Sequence, residues 1–135
     1  IPIAFLITKK QAAKGEMAMY CVFSKEAVEK MGGNRGKLSS MAGHAYLHSY
    51  WDSIEKHPKN AANYRKSGLA VKITLIVDTD QELQQIYDTL SGIGKTKVVD
   101  AGRTVFGEPT FVAVGVGPVY RDSVPDIIKR LKIFL

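Results

Sequence analysis

The chain has 135 residues, of which 45% are apolar and 9% aromatic, and it carries a formal net charge of +6. This length fits one domain that buries a real core, and the apolar content excludes a disordered polymer. The excess of basic residues suits a polyanionic partner such as a nucleic acid. The single cysteine, Cys21, excludes an internal disulfide. It favours an intracellular, cytoplasmic location, with Cys21 as a core residue rather than a nucleophile.

The first sixteen residues are set apart from the predicted domain. The run from Ile1 to Thr8 is apolar but too short to span a bilayer, so no membrane partner is expected. Its basic residues follow the apolar run, whereas a signal peptide places them before it. Met17 and Met19 both suit a natural start. Residues 1–16 are therefore interpreted as an upstream extension or a cloning remnant, within which Ile1–Thr8 is able to add an edge strand, and residues 17–135 as one domain.

The remaining chain alternates strand and helix patterns. The pattern predicts strand 19–23, connection 25–36, helix 37–56, strand 69–77, a helix starting at the capping box 79–82, strands 96–99 and 111–116, and a last helix from about residue 123. In helix 37–56 the apolar residues Leu47, Tyr50, Trp51 and Ile54 share one face, which predicts its buried stripe. Residues 133–135 are expected to close the core.

This order of elements predicts an α/β fold. We expect a three-layer sandwich, in which a mixed four-stranded sheet has helices on both faces. Ligands in such sheets gather beyond the carboxyl ends of the strands. Two segments follow predicted strands at such ends and are the candidate sites.

The first candidate is the stretch from Asp100 to Thr104, Asp-Ala-Gly-Arg-Thr, where a strand ends and a hairpin begins. One interpretation is a turn in which Asp100 accepts backbone N–H bonds and Arg103 is its ion-pair partner. The other is a reactive site, since a base, a cation and a hydroxyl lie within five residues.

The second candidate is the glycine-rich loop before helix 37–56. Gly32, Gly33 and Gly36 are able to expose backbone N–H groups at a helix N-terminus, with Lys37 at the mouth of that anion site and Arg35 beside it. The loop approaches the phosphate-binding pattern G-x-x-x-x-G-K-[ST]. It is one residue short, however, and has Leu38 in the Ser/Thr position.

No metal site is predicted from the histidines. His44 and His48 are four residues apart on one helix face, but Ala45 stands where a zinc-protease motif has glutamate. A helix histidine flanked by Gly43 and Ala45 is more typically packed against a strand. We therefore expect no metal and no cofactor.

Three groups of residues together resemble the type 2 peptidyl-tRNA hydrolases of archaea and eukaryotes, over about residues 17–135. They are Lys30-Met31-Gly32 with Gly36-Lys37 and Gly43-His44-Ala45, then Asp100-Ala101-Gly102-Arg103-Thr104, then Gly115-Val116-Gly117-Pro118. The resemblance implies metal-independent hydrolysis of the ester between a peptide and the 3′ end of tRNA. It implies that Lys37, Asp100 and Thr104 are catalytic, and we expect these three to converge in one cleft.

The chain also departs from the family pattern. The family usually has glutamine where Met41 stands, a different pair in place of Ala42-Gly43, and a hydroxyl residue in place of Val112. Thr110 has the same strand parity as Val112, about 6–7 Å away along the strand, and is expected to substitute for it. The alternative function is a weakly active or non-catalytic relative that binds tRNA or protein on the same fold.

The expected partner is tRNA, held through its phosphates by the basic face. A homodimer is left open. The predicted substrate-binding residues are Arg35, His44, Lys95, Arg103 and Thr110.

Overall fold

The computed structural model of the protein describes residues 15–102 and 107–135. The segment Ile1–Thr8 and its suggested edge strand, and the site residues Arg103 and Thr104, lie outside the described residues. The described elements, in chain order, are β1 (Met17–Ser24), α1 (Lys25–Lys30), α2 (Arg35–Lys56), α3 (Pro58–Ser67), β2 (Lys72–Val77), α4 (Asp80–Thr89), β3 (Lys95–Asp100), β4 (Thr110–Tyr120), a 3₁₀ turn (Arg121–Ser123), α5 (Asp126–Lys129) and β5 (Lys132–Ile133).

The sheet has the order β3-β4-β1-β2-β5. β1 and β2 are parallel, and the pairs β1–β4, β3–β4 and β2–β5 are antiparallel. The predicted α/β sandwich with a mixed sheet is confirmed, with five strands rather than four. The additional strand is short, because Lys132 and Ile133 pair with β2 where the sequence shows no alternating pattern long enough to predict a strand.

Hydrophobic cores lie on both faces of the sheet. On one face, residues of β1, β2 and β4 pack against Leu83, Ile86 and Leu90 of α4 and its C-terminal end. On the other, Cys21, Phe23 and Val112 pack with the helices α1 and α2. Tyr20 and Val22 of β1 belong to the first core and Cys21 and Phe23 to the second, because successive strand side chains point to opposite faces. Cys21 is fully buried, and burial raises the pKa of its thiol to about 12, which confirms it as a core residue.

The predicted buried stripe of α2 is wrong for three of its four residues, whereas Tyr50 is half-buried and packs against the core cluster of Met17, Met19 and Tyr64. Leu47, Trp51 and Ile54 are 45–53% exposed, whereas Met41, Ala45, Ser49 and Ser53 face the sheet. The helix lies so close to β4 that a side chain on Gly115 would overlap the backbone carbonyl of Ala45. Only small residues fit such an approach. The two buried serines are satisfied because both hydroxyls donate to the carbonyl of Gly117, at 2.7 and 2.9 Å.

Other boundaries also differ from expectation. The predicted connection 25–36 contains α1, which Ser24 caps by accepting a hydrogen bond from the Ala27 N–H. α3 was not predicted, although Pro58 suits the first turn of a helix. β2 begins at Lys72, and Leu69 is exposed rather than in the strand. At the C-terminus Phe134 packs on Phe23, but Ile133 and Leu135 are exposed and do not close the core.

The capping box at Thr79 is confirmed as a helix start, because the Thr79 hydroxyl accepts a hydrogen bond from the Glu82 N–H at 3.1 Å.

Within residues 15–102 and 107–135, no helix has the length and apolar content needed to cross a membrane.

Candidate active site

The N-terminus of α2 lies at the sheet edge where β1, β2 and β3 end. Asn34 is the N-cap, and its side chain accepts a hydrogen bond from the Lys37 N–H at 3.0 Å. The N–H groups of Gly32 and Gly33 donate to carbonyls of α1, at Glu29 and Val28. The predicted anion cradle is therefore wrong for these two glycines. They end α1 in a left-handed conformation that glycine adopts without strain.

Lys37 and Asp100 form an ion pair at this edge. The Lys37 Nζ lies 2.5 Å from the Asp100 Oδ1, and the two side chains are 16% and 5% exposed. The elements that carry them, the first turn of α2 and the last residue of β3, are joined only by tertiary packing. The expected convergence of Lys37 and Asp100 is thus confirmed.

Asp100 is held from a second side. Its Oδ2 accepts a hydrogen bond from the Gly102 N–H at 2.9 Å, forming a turn of the predicted Asp-x-Gly kind. The Lys37 ammonium is the largest cause that keeps the pKa of the Asp100 carboxyl below its ordinary value, and the Gly102 N–H adds to it, although burial opposes both. Asp100 is therefore a carboxylate at neutral pH. Its ion-pair partner among the described residues is Lys37, whereas the sequence suggested Arg103.

Thr110 is brought to the same place. It opens β4 and is the register partner of Asp100 across the β3–β4 pair, and its hydroxyl donates to the Glu108 carbonyl at 3.0 Å. Val112 is fully buried in the core with Cys21 and Phe23. Thr110 thus supplies a hydroxyl next to the carboxylate of Asp100, whereas the Val112 side chain belongs to the core.

The other predicted binding residues are placed differently. Arg35 is exposed in the first turn of α2, and His44 is exposed on α2 rather than packed against a strand. Lys95 lies at the opposite end of β3 from Asp100, about 16 Å along the strand. Its ammonium donates to the carbonyls of Tyr87 and Leu90, so it serves the C-terminal end of α4.

Two positioning residues were missed by the sequence analysis. Asn34 fixes the first turn of α2, and the signal was an Asn three residues before Lys37. Gly102 has φ +81°, and a side chain there would overlap the backbone of Glu108. The signal was a glycine two residues after an aspartate at a strand end.

This arrangement places a positive charge and a negative charge in contact at a partly shielded edge of the sheet. Such a pair suits reactions in which negative charge develops on an oxygen, because a fixed cation stabilises it. Among residues 15–102 and 107–135, no group of three or more His, Cys, Asp or Glu side chains is arranged to hold a metal ion.

Comparisons with known proteins all indicate the same family. A sequence model of the family described as Peptidyl-tRNA hydrolase PTH2 matches residues 17–134. The chain is 28% identical over 105 residues to the peptidyl-tRNA hydrolase of Methanocaldococcus jannaschii, which covers 76% of this chain and 90% of the relative. It is 29% identical over 106 residues to the peptidyl-tRNA hydrolase of Methanococcus vannielii, covering 77% and 89%. It is also similar to a probable peptidyl-tRNA hydrolase 2 of Dictyostelium discoideum, at 26% identity over 77% of this chain and 50% of the relative.

The matched segment contains the described part of the site, from Asn34 and Lys37 to Asp100, Gly102 and Thr110, and the resemblance seen in the sequence is confirmed. The chain belongs to the PTH2 family of peptidyl-tRNA hydrolases.

Proposed function

We propose that the chain hydrolyses the ester bond of peptidyl-tRNA at the Lys37–Asp100 pair, with Thr104 supplying the hydroxyl group that orients the attacking water. The observation that carries the proposal is the 2.5 Å contact between the Lys37 ammonium and the Asp100 carboxylate, inside the segment that matches the family. Ester hydrolysis needs two things from the protein: an oriented water and a cation near the developing oxyanion.

The lowered pKa of Asp100 favours one of two roles for its carboxylate. A general base works best when its pKa lies near the pH of the reaction. The Lys37 charge moves the pKa of Asp100 away from that range. Asp100 therefore holds the Lys37 ammonium in place and orients the water or the Thr104 hydroxyl, rather than storing a proton.

The reaction balances without a further reagent. Water adds to the acyl carbon, and the developing oxyanion is stabilised by Lys37. The bond between the acyl carbon and the ribose oxygen of tRNA breaks, one proton of the water passes to that oxygen, and the other is released to solvent. The products are a peptide carboxylate and a free tRNA hydroxyl group. Because an ammonium already supplies the positive charge, we propose that the reaction is metal-independent.

Two further parts of the proposal concern where the protein acts and in what form. The substrate belongs to translation, so we place the activity in the cytoplasm. Self-association as a homodimer remains a prediction, which sedimentation of the full chain tests.

The experiment measures release of free tRNA from an N-blocked aminoacyl-tRNA. We expect turnover by the unaltered chain and a fall of about 10²–10³-fold in kcat for Lys37→Met, which removes the charge but keeps much of the side-chain length. The matched control is Arg121→Met, because Arg121 also pairs with a carboxylate, Glu16 at 3.6 Å, but follows the end of β4 opposite to Thr110. Equal loss in both variants, or tRNA binding with no release by the unaltered chain, would favour the non-catalytic binding alternative.

A further inference from the structure

Three aromatic rings follow one another along α2 on the flank that begins at Lys37. The rings of His44 and His48 lie edge to face with centroids 5.7 Å apart, and His48 and Trp51 are stacked at 5.1 Å with 28° between their planes. With 3.6 residues per turn, these rings and Lys37 lie within about 60° of helix arc. We call His44, His48 and Trp51 the ring series.

The ring series is exposed to solvent. His44 and His48 are exposed, and Trp51 has 53% of its surface accessible. Single exposed apolar side chains are ordinary, but a stacked series of flat rings in solvent keeps outer faces and edges available to a ligand.

The series runs along α2 from the candidate active site at Lys37 to a cavity near the opposite end of β3. His48 and Trp51 line this cavity of 610 Å³ together with Thr96, four residues before Asp100 on β3. This volume falls within the range of about 300–1,000 Å³ found for ligand sites. Along the α2 axis, His44 is about 10 Å and Trp51 about 21 Å from Lys37.

We propose that the ring series binds the single-stranded 3′ end of tRNA, with nucleobases stacked on Trp51 and His48 while the ester lies at Lys37 and Asp100. This inference rests on the proposed function. Single-stranded RNA is typically recognised by stacking of its splayed bases on aromatic side chains. The net charge of +6 adds the attraction for phosphates that such binding requires.

Kinetics of peptidyl-tRNA hydrolysis test the two stacked rings. Loss of one base–aromatic stack weakens binding by about 5- to 150-fold, so Trp51→Ala and His48→Ala should each raise KM by about tenfold or more, with kcat changed less than twofold. Trp51→Phe should keep most of the affinity. Leu47→Ala and Ile54→Ala are matched controls, because these side chains are 45% and 48% exposed within one helical turn of Trp51 but carry no flat ring. They should leave KM unchanged.

A second measurement does not depend on turnover. Trp51 is the only tryptophan of the chain, so its fluorescence reports directly on stacking. An RNA hairpin that carries the acceptor stem with its single-stranded 3′ end should quench this fluorescence, and the same hairpin with a blunt end should not.

The outcomes separate the inference from the proposed function. If the unaltered chain releases no tRNA but the tailed hairpin alone quenches Trp51, the hydrolase proposal fails and the binding site stands. If the chain releases tRNA while Trp51→Ala and His48→Ala keep the unaltered KM, the inference is overturned. Equal quenching by tailed and blunt hairpins also overturns it, because the contact would then be with duplex RNA. Equal effects of the Leu47 and Ile54 controls overturn it as well, because stacking on flat rings would then not be the cause.

Discussion

The ion pair between Lys37 and Asp100 makes the most specific prediction, through a double-mutant cycle of Asp100→Asn and Lys37→Met. Exposed ion pairs contribute about 0–1 kcal/mol to stability, and removing one partner of a buried pair costs about 3–5 kcal/mol. Because Lys37 is 16% and Asp100 5% exposed, each single change should lower the free energy of unfolding by about 2 kcal/mol. For 135 residues this corresponds to a fall of about 7 °C in Tm.

The pH dependence of this stability has a definite sign. The pKa of Asp100 is lowered in the folded chain, so the stability from the pair is fully present above the unfolded pKa of about 3.9. It is lost as the pH falls through the lower folded pKa. The unaltered chain and Asp100→Asn should therefore differ most in Tm near neutral pH and converge in acid.

Thermal unfolding and kcat/KM are measured for all four members of the cycle. We expect the double variant to be more stable than the sum of the single losses predicts, with a coupling of about 1–2 kcal/mol. Its kcat/KM should be no lower than that of the worse single variant, because the two groups act as a unit. Strictly additive losses in both stability and kcat/KM would refute the reasoning, since two groups in contact would then act independently.

Three further predictions follow from the site and its surroundings. Gly102→Ala should lower Tm and kcat together. A φ of +81° costs a non-glycine residue about 1–2 kcal/mol, and the new side chain would meet the Glu108 backbone. An unchanged kcat would show that catalysis does not need the turn at Gly102. Arg35→Ala should reduce the slope of log affinity for tRNA against log salt by about one unit. Lys95→Ala should leave that slope unchanged and lower Tm, because the Lys95 ammonium donates hydrogen bonds to the Tyr87 and Leu90 carbonyls. An unchanged slope for Arg35→Ala with a reduced slope for Lys95→Ala would contradict these placements. Activity should survive a chelator, and loss that zinc restores would overturn metal independence.

The site was predictable where local chemistry and position along a strand agree. The run that ends at Asp100 reads as a strand followed by a turn, and Lys37 follows a glycine-rich loop, so both were expected at strand-to-loop junctions of one sheet edge. The contact between them confirms that reasoning. Their catalytic roles stay a proposal, and the placement of Thr104 and Arg103 lies outside the described residues.

The buried face of α2 was not predictable from apolar periodicity. Leu47, Trp51 and Ile54 have the spacing of a core stripe, yet they face solvent. The close approach at Gly115 selects small side chains on the buried face, and the Gly117 carbonyl satisfies its serines. That partner lies more than sixty residues away in the chain, so only tertiary packing reveals it.

The long strands β1 and β4, by contrast, were predictable from the local sequence alone. β1 and β4 are buried on both faces, and continuous apolar runs identify such strands without tertiary information. β5 has two residues and one partner, so no pattern within it is long enough to signal a strand.

In the proposed function Asp100 serves the chemistry rather than the binding of tRNA. The most direct test compares the unaltered chain with Asp100→Asn for tRNA affinity and for release of tRNA from an N-blocked aminoacyl-tRNA. We predict equal or slightly tighter binding by the variant, because a carboxylate repels phosphates, and a release rate lower by about 10²–10³-fold. Release by Asp100→Asn at the rate of the unaltered chain would contradict the account.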